Sequence, residues 1–114
     1  MPDREPSLRV EIWIKAQLRL CDQRMTPAYI RRRGDADAGA VLIKLDRLDG
    51  TSQVLTQVTT GDGARAWSRG TGEAPVPNAE AEAYMERQLK YDPDIWILEI
   101  EDPNGAYEAD GGIV

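Results

Sequence analysis

The chain predicts a single α+β domain, an antiparallel sheet of about five strands with two helices in the order α-β-β-β-β-α-β. Three observations carry this: an opening segment of apolar periodicity, a middle of short β-rich runs between glycine turns, and a stretch of helix formers before a last apolar run. At 114 residues there is chain enough for one core and not for two. Residues 1–114 are therefore expected to form one globular domain with both helices on one sheet face and flexible ends at about 1–6 and 106–114.

Residues 8–22 are ambiguous in period. Even-numbered positions from Leu8 to Leu20 are all apolar, as in a strand, while Val10, Trp13, Ile14, Leu18, Cys21 and Met25 form a helical stripe. Length decides, because a run of about 15 residues exceeds a typical strand; its Leu, Lys, Arg and Gln content suits a helix, with Ser7 as N-cap. Pro27 closes that helix, and residues 28–33 read as the first strand. Residues 40–48 are the second strand, and Asp49-Gly50 is the pair favoured in a two-residue hairpin turn. Residues 52–59 form the third strand and 64–69 the fourth, separated by Gly61-Asp62-Gly63.

Residues 70–77 hold too much glycine and proline for regular structure, and Pro75-Val76-Pro77 serves to position a helix start. Asn78 is placed to cap a helix over 79–91, with acids in its first turns and Arg87 and Lys90 last, complementing the helix dipole. Tyr84 and Tyr91 fall on one face of it, expected against the sheet. Asp92-Pro93 stops the helix, and residues 94–101 begin apolar on both faces, as an internal strand does. The acidic, glycine-containing tail is expected to fray.

The block Arg32-Arg33-Gly34-Asp35-Ala36-Asp37-Ala38-Gly39-Ala40-Val41-Leu42-Ile43-Lys44, then Arg47-Leu48-Asp49-Gly50, the late Tyr91-Asp92-Pro93-Asp94-Ile95-Trp96-Ile97-Leu98-Glu99-Ile100-Glu101-Asp102, and Trp13 span most of the chain. Together they resemble a family of small bacterial proteins classed only as a domain of unknown function. The resemblance implies a stand-alone cytoplasmic bacterial protein and brings with it no activity, cofactor or catalytic residue. The proline-rich N-terminal stretch and Cys21 depart from the pattern.

Composition excludes several chemistries. With no histidine, Ser-His-Asp, Cys-His and zinc-hydrolase sites cannot be built in their usual form. The single cysteine, Cys21, has no intrachain disulfide partner and sits where a small core hydrophobe belongs. No apolar run is long enough to cross a membrane, and residues 1–6 carry no secretory apolar region, so a cytoplasmic location is expected. The net charge of −6 is uneven: residues 1–47 carry ten Arg/Lys against seven Asp/Glu, and residues 48–114 four against thirteen. An acidic chain opposes nucleic-acid binding, which needs concentrated positive charge.

The candidate site is the turn joining the first two strands. Alternation along a strand puts Arg31 and Arg33 on one face and Arg32 on the other, where guanidiniums grip phosphate or carboxylate while amides between Gly34 and Gly39 add an anion-binding concavity. The plainer reading pairs these arginines with Asp35, Asp37 or acids of the second half. Trp67, flanked by Ala66 and Ser68 with Arg65 and Arg69 on its strand face, is the best candidate for an exposed aromatic, whereas Trp13 and Trp96 belong to the core. Arg33-Gly34-Asp35 spells an adhesion tripeptide, read as coincidence without a secretory signal.

The function these features support is a non-enzymatic binding module using Arg31, Arg33, Asp35, Asp37 and Trp67 together with an open sheet edge. Its partner would be a protein or a small anionic ligand, and no cofactor is expected. The alternative is a divalent-metal-dependent enzyme on a phosphate-containing substrate, with Asp35, Asp37, Glu99 and Glu101 as ligands and Arg31 or Arg33 stabilising charge.

Overall fold

The computed structural model describes residues 9–59 and 65–114. Its elements are α1 (Val10–Gln23), β1 (Ala28–Arg32), β2 (Val41–Asp46), β3 (Thr51–Thr59), β4 (Arg65–Arg69), β5 (Val76–Pro77), α2 (Asn78–Tyr91) and β6 (Trp96–Glu101). The α+β class and the element order follow the sequence, with the two-residue β5 added inside the expected loop. The spatial order is β1-β6-β2-β3-β4, and β5 pairs with the start of β3. β2 and β6 run parallel and the other pairs antiparallel, so the sheet is mixed rather than purely antiparallel.

The helices take opposite faces, not one. β2 carries Val41, Ile43 and Leu45 on the side of Trp13 and Ile14, and Leu42 on the side of Ala81 and Met85. β6 divides likewise, with Trp96, Leu98 and Ile100 toward α1 and Ile97 toward α2. Central strands apolar at both parities need a cover on each face, and two helices supply them.

The helical stripe of the opening segment is real: Val10, Trp13, Ile14, Gln17 and Cys21 are buried, while Ile12 and Leu20, needed for a strand reading, are exposed. Met25 leaves the stripe because α1 ends before it, and it is 91% exposed. The expected cap Ser7, the expected flexibility of residues 1–6 and the expected turn at 61–63 all fall outside the described residues. Asn78 does not cap α2 but is its first residue, accepting a hydrogen bond from Ser52 Oγ on β3. Tyr84 packs on the core of the α2 face, but Tyr91, at the helix end, is exposed.

The hairpin between β2 and β3 has three loop residues rather than two, because Arg47 N–H donates to Thr51 O at 3.0 Å. Leu48 (φ 63°) and Gly50 (φ 92°) carry the left-handed turns, and the Asp49 carboxylate accepts from the Thr51 amide and hydroxyl.

The tail is docked, contrary to the expected fraying of 106–114. The Asp102 carboxylate accepts from the amides of Ala106 and Tyr107, Trp67 N–H donates to Gly112 O (3.0 Å), and Val114 N–H donates to Trp67 O (2.7 Å). A bridge between Trp67 and Ile113 thus covers the outer edge of β4. Deleting residues 107–114 is expected to lower stability by roughly 2–4 kcal/mol, the scale of uncovering large aromatic side chains. The check is chemical denaturation together with tryptophan emission, which should move to longer wavelength.

Candidate functional site

Residues 33–39 form a clasp between layers. Asp35 N–H donates to Asp94 O (3.0 Å), Trp96 Nε1–H donates to Asp35 O (2.7 Å), and Glu11 N–H, at the start of α1, donates to Ala36 O (3.2 Å). The Asp35 carboxylate accepts from the amides of Asp37 (3.2 Å) and Ala38 (2.8 Å), and Gly39 N–H donates to Asp35 O (3.3 Å). The concavity that could have held an external anion is filled by the loop's own carboxylate. Gly34 and Gly39 permit close approach, since a Cβ would lie 2.0 Å and 2.4 Å, respectively, from Asp94 O.

The three arginines do not alternate as expected. A bulge between Ile30 and Arg32 breaks the β1–β6 register, so Tyr29 pairs with Glu99 yet Arg32 pairs with Ile97, placing Arg31 and Arg32 both on the α2 side. Arg31 grips Glu82 through two hydrogen bonds (2.9 and 3.1 Å) and also donates to Glu99. Lys44, buried in β2, donates to Glu82 at 2.6 Å and lies 3.8 Å from Glu99. Arg32 donates to Pro93 O (2.7 Å). Arg33 turns to the other face, where it pairs with Glu11 and stacks over Trp96, 5.1 Å from the ring centroid. The plainer expectation of internal pairing thus describes Arg31, while Arg33 finds its acid on α1.

Electrostatics follow the contacts. The Arg31 guanidinium, with Lys44 behind it, holds the Glu82 carboxyl down at about 2 from an ordinary 4.5 despite partial burial. The same two carboxylates hold Arg31 firmly protonated. A groove of about 250 Å3 lined by Arg31, Arg32, Glu82 and Glu86 runs beside this cluster between β1 and α2, but Arg31 is taken up by Glu82 and Arg32 by Pro93 O. Lys44 and Glu82 escaped the sequence reading; a lysine inside an otherwise apolar strand was the available signal, since a buried ammonium requires a partner.

Trp67 is not exposed. It is fully buried against Trp13, with ring centroids 5.6 Å apart, and its Nε1–H donates to Asp110 O at 2.7 Å. Trp13 Nε1–H reaches the Asp110 carboxylate (3.0 Å), and Arg65 covers the Trp13 ring at 4.6 Å. The polar flanks of Trp67 misled because its cover comes from a tail distant in sequence. Trp96 is buried as expected, and so is Cys21, whose thiol burial pushes to a higher pKa.

Nor do the four carboxylates converge. Asp35 serves its own turn, Asp37 pairs with Arg9 at 3.0 Å on the surface, and Glu99 is buried between Arg31 and Lys44. Among the described residues no three cysteine, aspartate or glutamate side chains gather where they could hold a metal ion.

The two sheet edges differ. The tail covers β4, whereas β1 ends the strand order and no described residue pairs with its outer side. Glu101 N–H donates to Pro27 O (2.9 Å), which fixes the ladder phase. Two residues on, Tyr29 also faces β6, so Ala28 and Ile30 direct their amide and carbonyl groups outward.

The described residues define a small three-layer α+β domain with one internally paired charge cluster, Arg31, Lys44, Glu82 and Glu99, and one open sheet edge. The chain belongs to a family with this fold: the family model described as "Protein of unknown function (DUF1491)" matches residues 8–110. A crystal structure of a DUF1491 family protein from Caulobacter crescentus CB15 is similar with TM-score 0.81 and 37% identity, over 95% of this chain and 100% of that one. An NMR structure of a DUF1491 family protein from the same organism gives 0.79 and 37%, over 94% and 96%. The solution structure of Atu0922 from A. tumefaciens shares the fold at TM-score 0.73 and 23% identity, over 83% of this chain and 86% of that one. No curated protein matches the sequence.

Two outcomes check this site. Gly34→Ala is expected to destabilise by about 2–3 kcal/mol, because the added methyl meets backbone that cannot yield, whereas Asp37→Asn, on the surface, should stay within about 0.5 kcal/mol in the same urea titration. Glu82, with its folded pKa depressed from 4.5 to about 2, contributes stability that is present above 4.5 and lost as pH falls toward 2. Glu82→Gln should therefore be less stable at neutral pH by about 1–2 kcal/mol, allowing for screening of a partly exposed carboxylate, and show a flatter urea-midpoint profile through that acid window.

Proposed function

We propose that this protein is a non-enzymatic interaction module of the cytoplasm that adds an extended segment of a partner protein to the open edge of β1. The observation that carries this is the asymmetry of the edges: the tail closes β4, while among the described residues nothing pairs with the outward amide and carbonyl groups of Ala28 and Ile30. Unpaired strand edges are templates for strand addition, with backbone bonds giving affinity and neighbouring side chains giving selectivity. Arg33 is paired with Glu11 and rests on Trp96, but its side chain stays 62% exposed beyond the end of β1, so its outer face would contribute the selective contact while the turn itself stays closed. A protein segment is favoured over a small anion because Arg31 is already held by two carboxylates and the loop amides by Asp35. A cytoplasmic setting accords with a lone, buried, unpaired thiol, and no helix among the described residues is long and apolar enough to cross a membrane.

Ala28→Pro removes an outward N–H without touching the β6 ladder and is expected to abolish capture of the partner from a lysate of the source cell, with a near-native melt. Arg33→Glu should weaken capture by about tenfold, on the scale of a lost interfacial charge contact. If both folded variants retain every captured protein, the edge is not the interaction surface.

A further inference from the structure

At the N-terminal end of β1, two large apolar residues occupy backbone positions that suit glycine. α1 closes with Thr26 N–H donating to Cys21 O (2.8 Å) and Met25 N–H to Asp22 O (3.0 Å), the paired bonds of a left-handed helix terminus. Met25 sits in the left-handed slot, at φ 56°, and is 91% exposed. Leu48, in the β2–β3 hairpin, has φ 63° and is 55% exposed. Local physics favours a small or polar residue at both places, since each combines backbone strain with apolar surface in water.

The two residues border the same groove, of about 290 Å3, with Pro27, Pro103 and Ala106 also lining it. Two carboxylates line it as well, and they differ. Asp102 is consumed by Arg47 and by the amides of Ala106 and Tyr107, whereas Glu101 has no cation or hydrogen-bond donor among the described residues. An apolar slot beside an uncompensated negative charge complements an apolar side chain next to a cation. A second copy of this chain fits poorly, because a two-fold contact would set one Glu101 against another on molecules of net charge −6.

We propose that the groove between Met25 and Leu48 receives an apolar side chain of the partner segment, whose neighbouring lysine or arginine pairs with Glu101. The proposal rests on the edge reading: a segment hydrogen-bonded along β1 that continues past Pro27 reaches this groove. Met25 supplies an unbranched, adaptable wall, and Leu48 the opposite one.

The test uses the full chain, isotope-labelled at backbone amides and methionine methyls, and Val/Thr peptides of about ten residues. Their central pairs are Leu-Lys, Leu-Glu, Ser-Lys and Ser-Glu. The Leu-Lys peptide is expected to shift both the Ala28 and Ile30 amides and the Met25 methyl, and to bind at least about tenfold tighter than the others. Glu101→Lys should reverse the Lys-over-Glu preference. Met25→Gly should erase the Leu-over-Ser preference while raising the melting temperature, which separates lost binding from lost folding. Equal β1 shifts with all four peptides and a silent Met25 methyl would overturn the groove and leave the edge standing. Met25 shifts without β1 shifts would overturn the edge reading and, with it, the linkage proposed here. Silence at both surfaces at millimolar peptide overturns both, and a Met25 shift that depends on protein concentration alone would replace the basic segment with a second copy.

Discussion

Burial of β2 and β6 on both faces is the constraint on which the rest of the structure depends. A strand covered on one side can send charged residues to water from the other, but these two cannot. Lys44 on β2 and Glu99 on β6 are both buried, and they lie at paired positions of the parallel ladder. Each must therefore find its counter-charges within the fold, and Glu82 on α2 and Arg31 on β1 provide them. The cluster thereby fastens α2 and the edge strand to the sheet centre, and the bulge in β1 belongs to the same solution, turning Arg31 and Arg32 together toward α2.

Two other segments close what the helices leave open. The 33–39 loop links the start of α1 to the start of β6 through Ala36, Asp35 and Trp96, and its glycines let backbone lie against backbone. The tail does the same for the far edge, where Asp110 receives both the Trp13 and Trp67 indoles and residues 112–114 extend the sheet past β4. Most charged groups singled out in these regions serve internal closure. Among the described residues, what is left outward is the β1 edge and the apolar groove at its end, and the functional reading is placed there for that reason.

The helices, the four-strand middle and the internal character of β6 were legible because each depends on local pattern: the spacing of Val10, Trp13 and Ile14, the short β-rich runs such as Val41 to Leu45, and the doubly apolar run from Ile95. The site was less legible. Trp67 looked exposed because its flanks are polar, yet its cover comes from Asp110 and Ile113, which no local window contains. The arginine turn did reveal an unusual place, but whether its guanidiniums face a ligand or the protein's own acids depends on α1, α2 and a bulge, all non-local. The same applies to the parallel pairing of β2 with β6, which places α2 opposite α1. Met25 looked like the last residue of an apolar stripe until the helix terminus placed it in the left-handed slot.

The claim that the arginine turn is an internal closure, and not a free ligand-binding loop, is tested most directly by native-state amide hydrogen exchange. Asp35 N–H, bonded to Asp94 O, and Gly39 N–H, bonded to Asp35 O, belong to the clasp, while β6 amides such as Leu98 report the core. If the turn closes the fold, the Asp35 and Gly39 amides should exchange only with the global unfolding that releases Leu98, and their opening free energies should coincide. Free exchange of Asp35 and Gly39 beside a protected Leu98 would contradict the account.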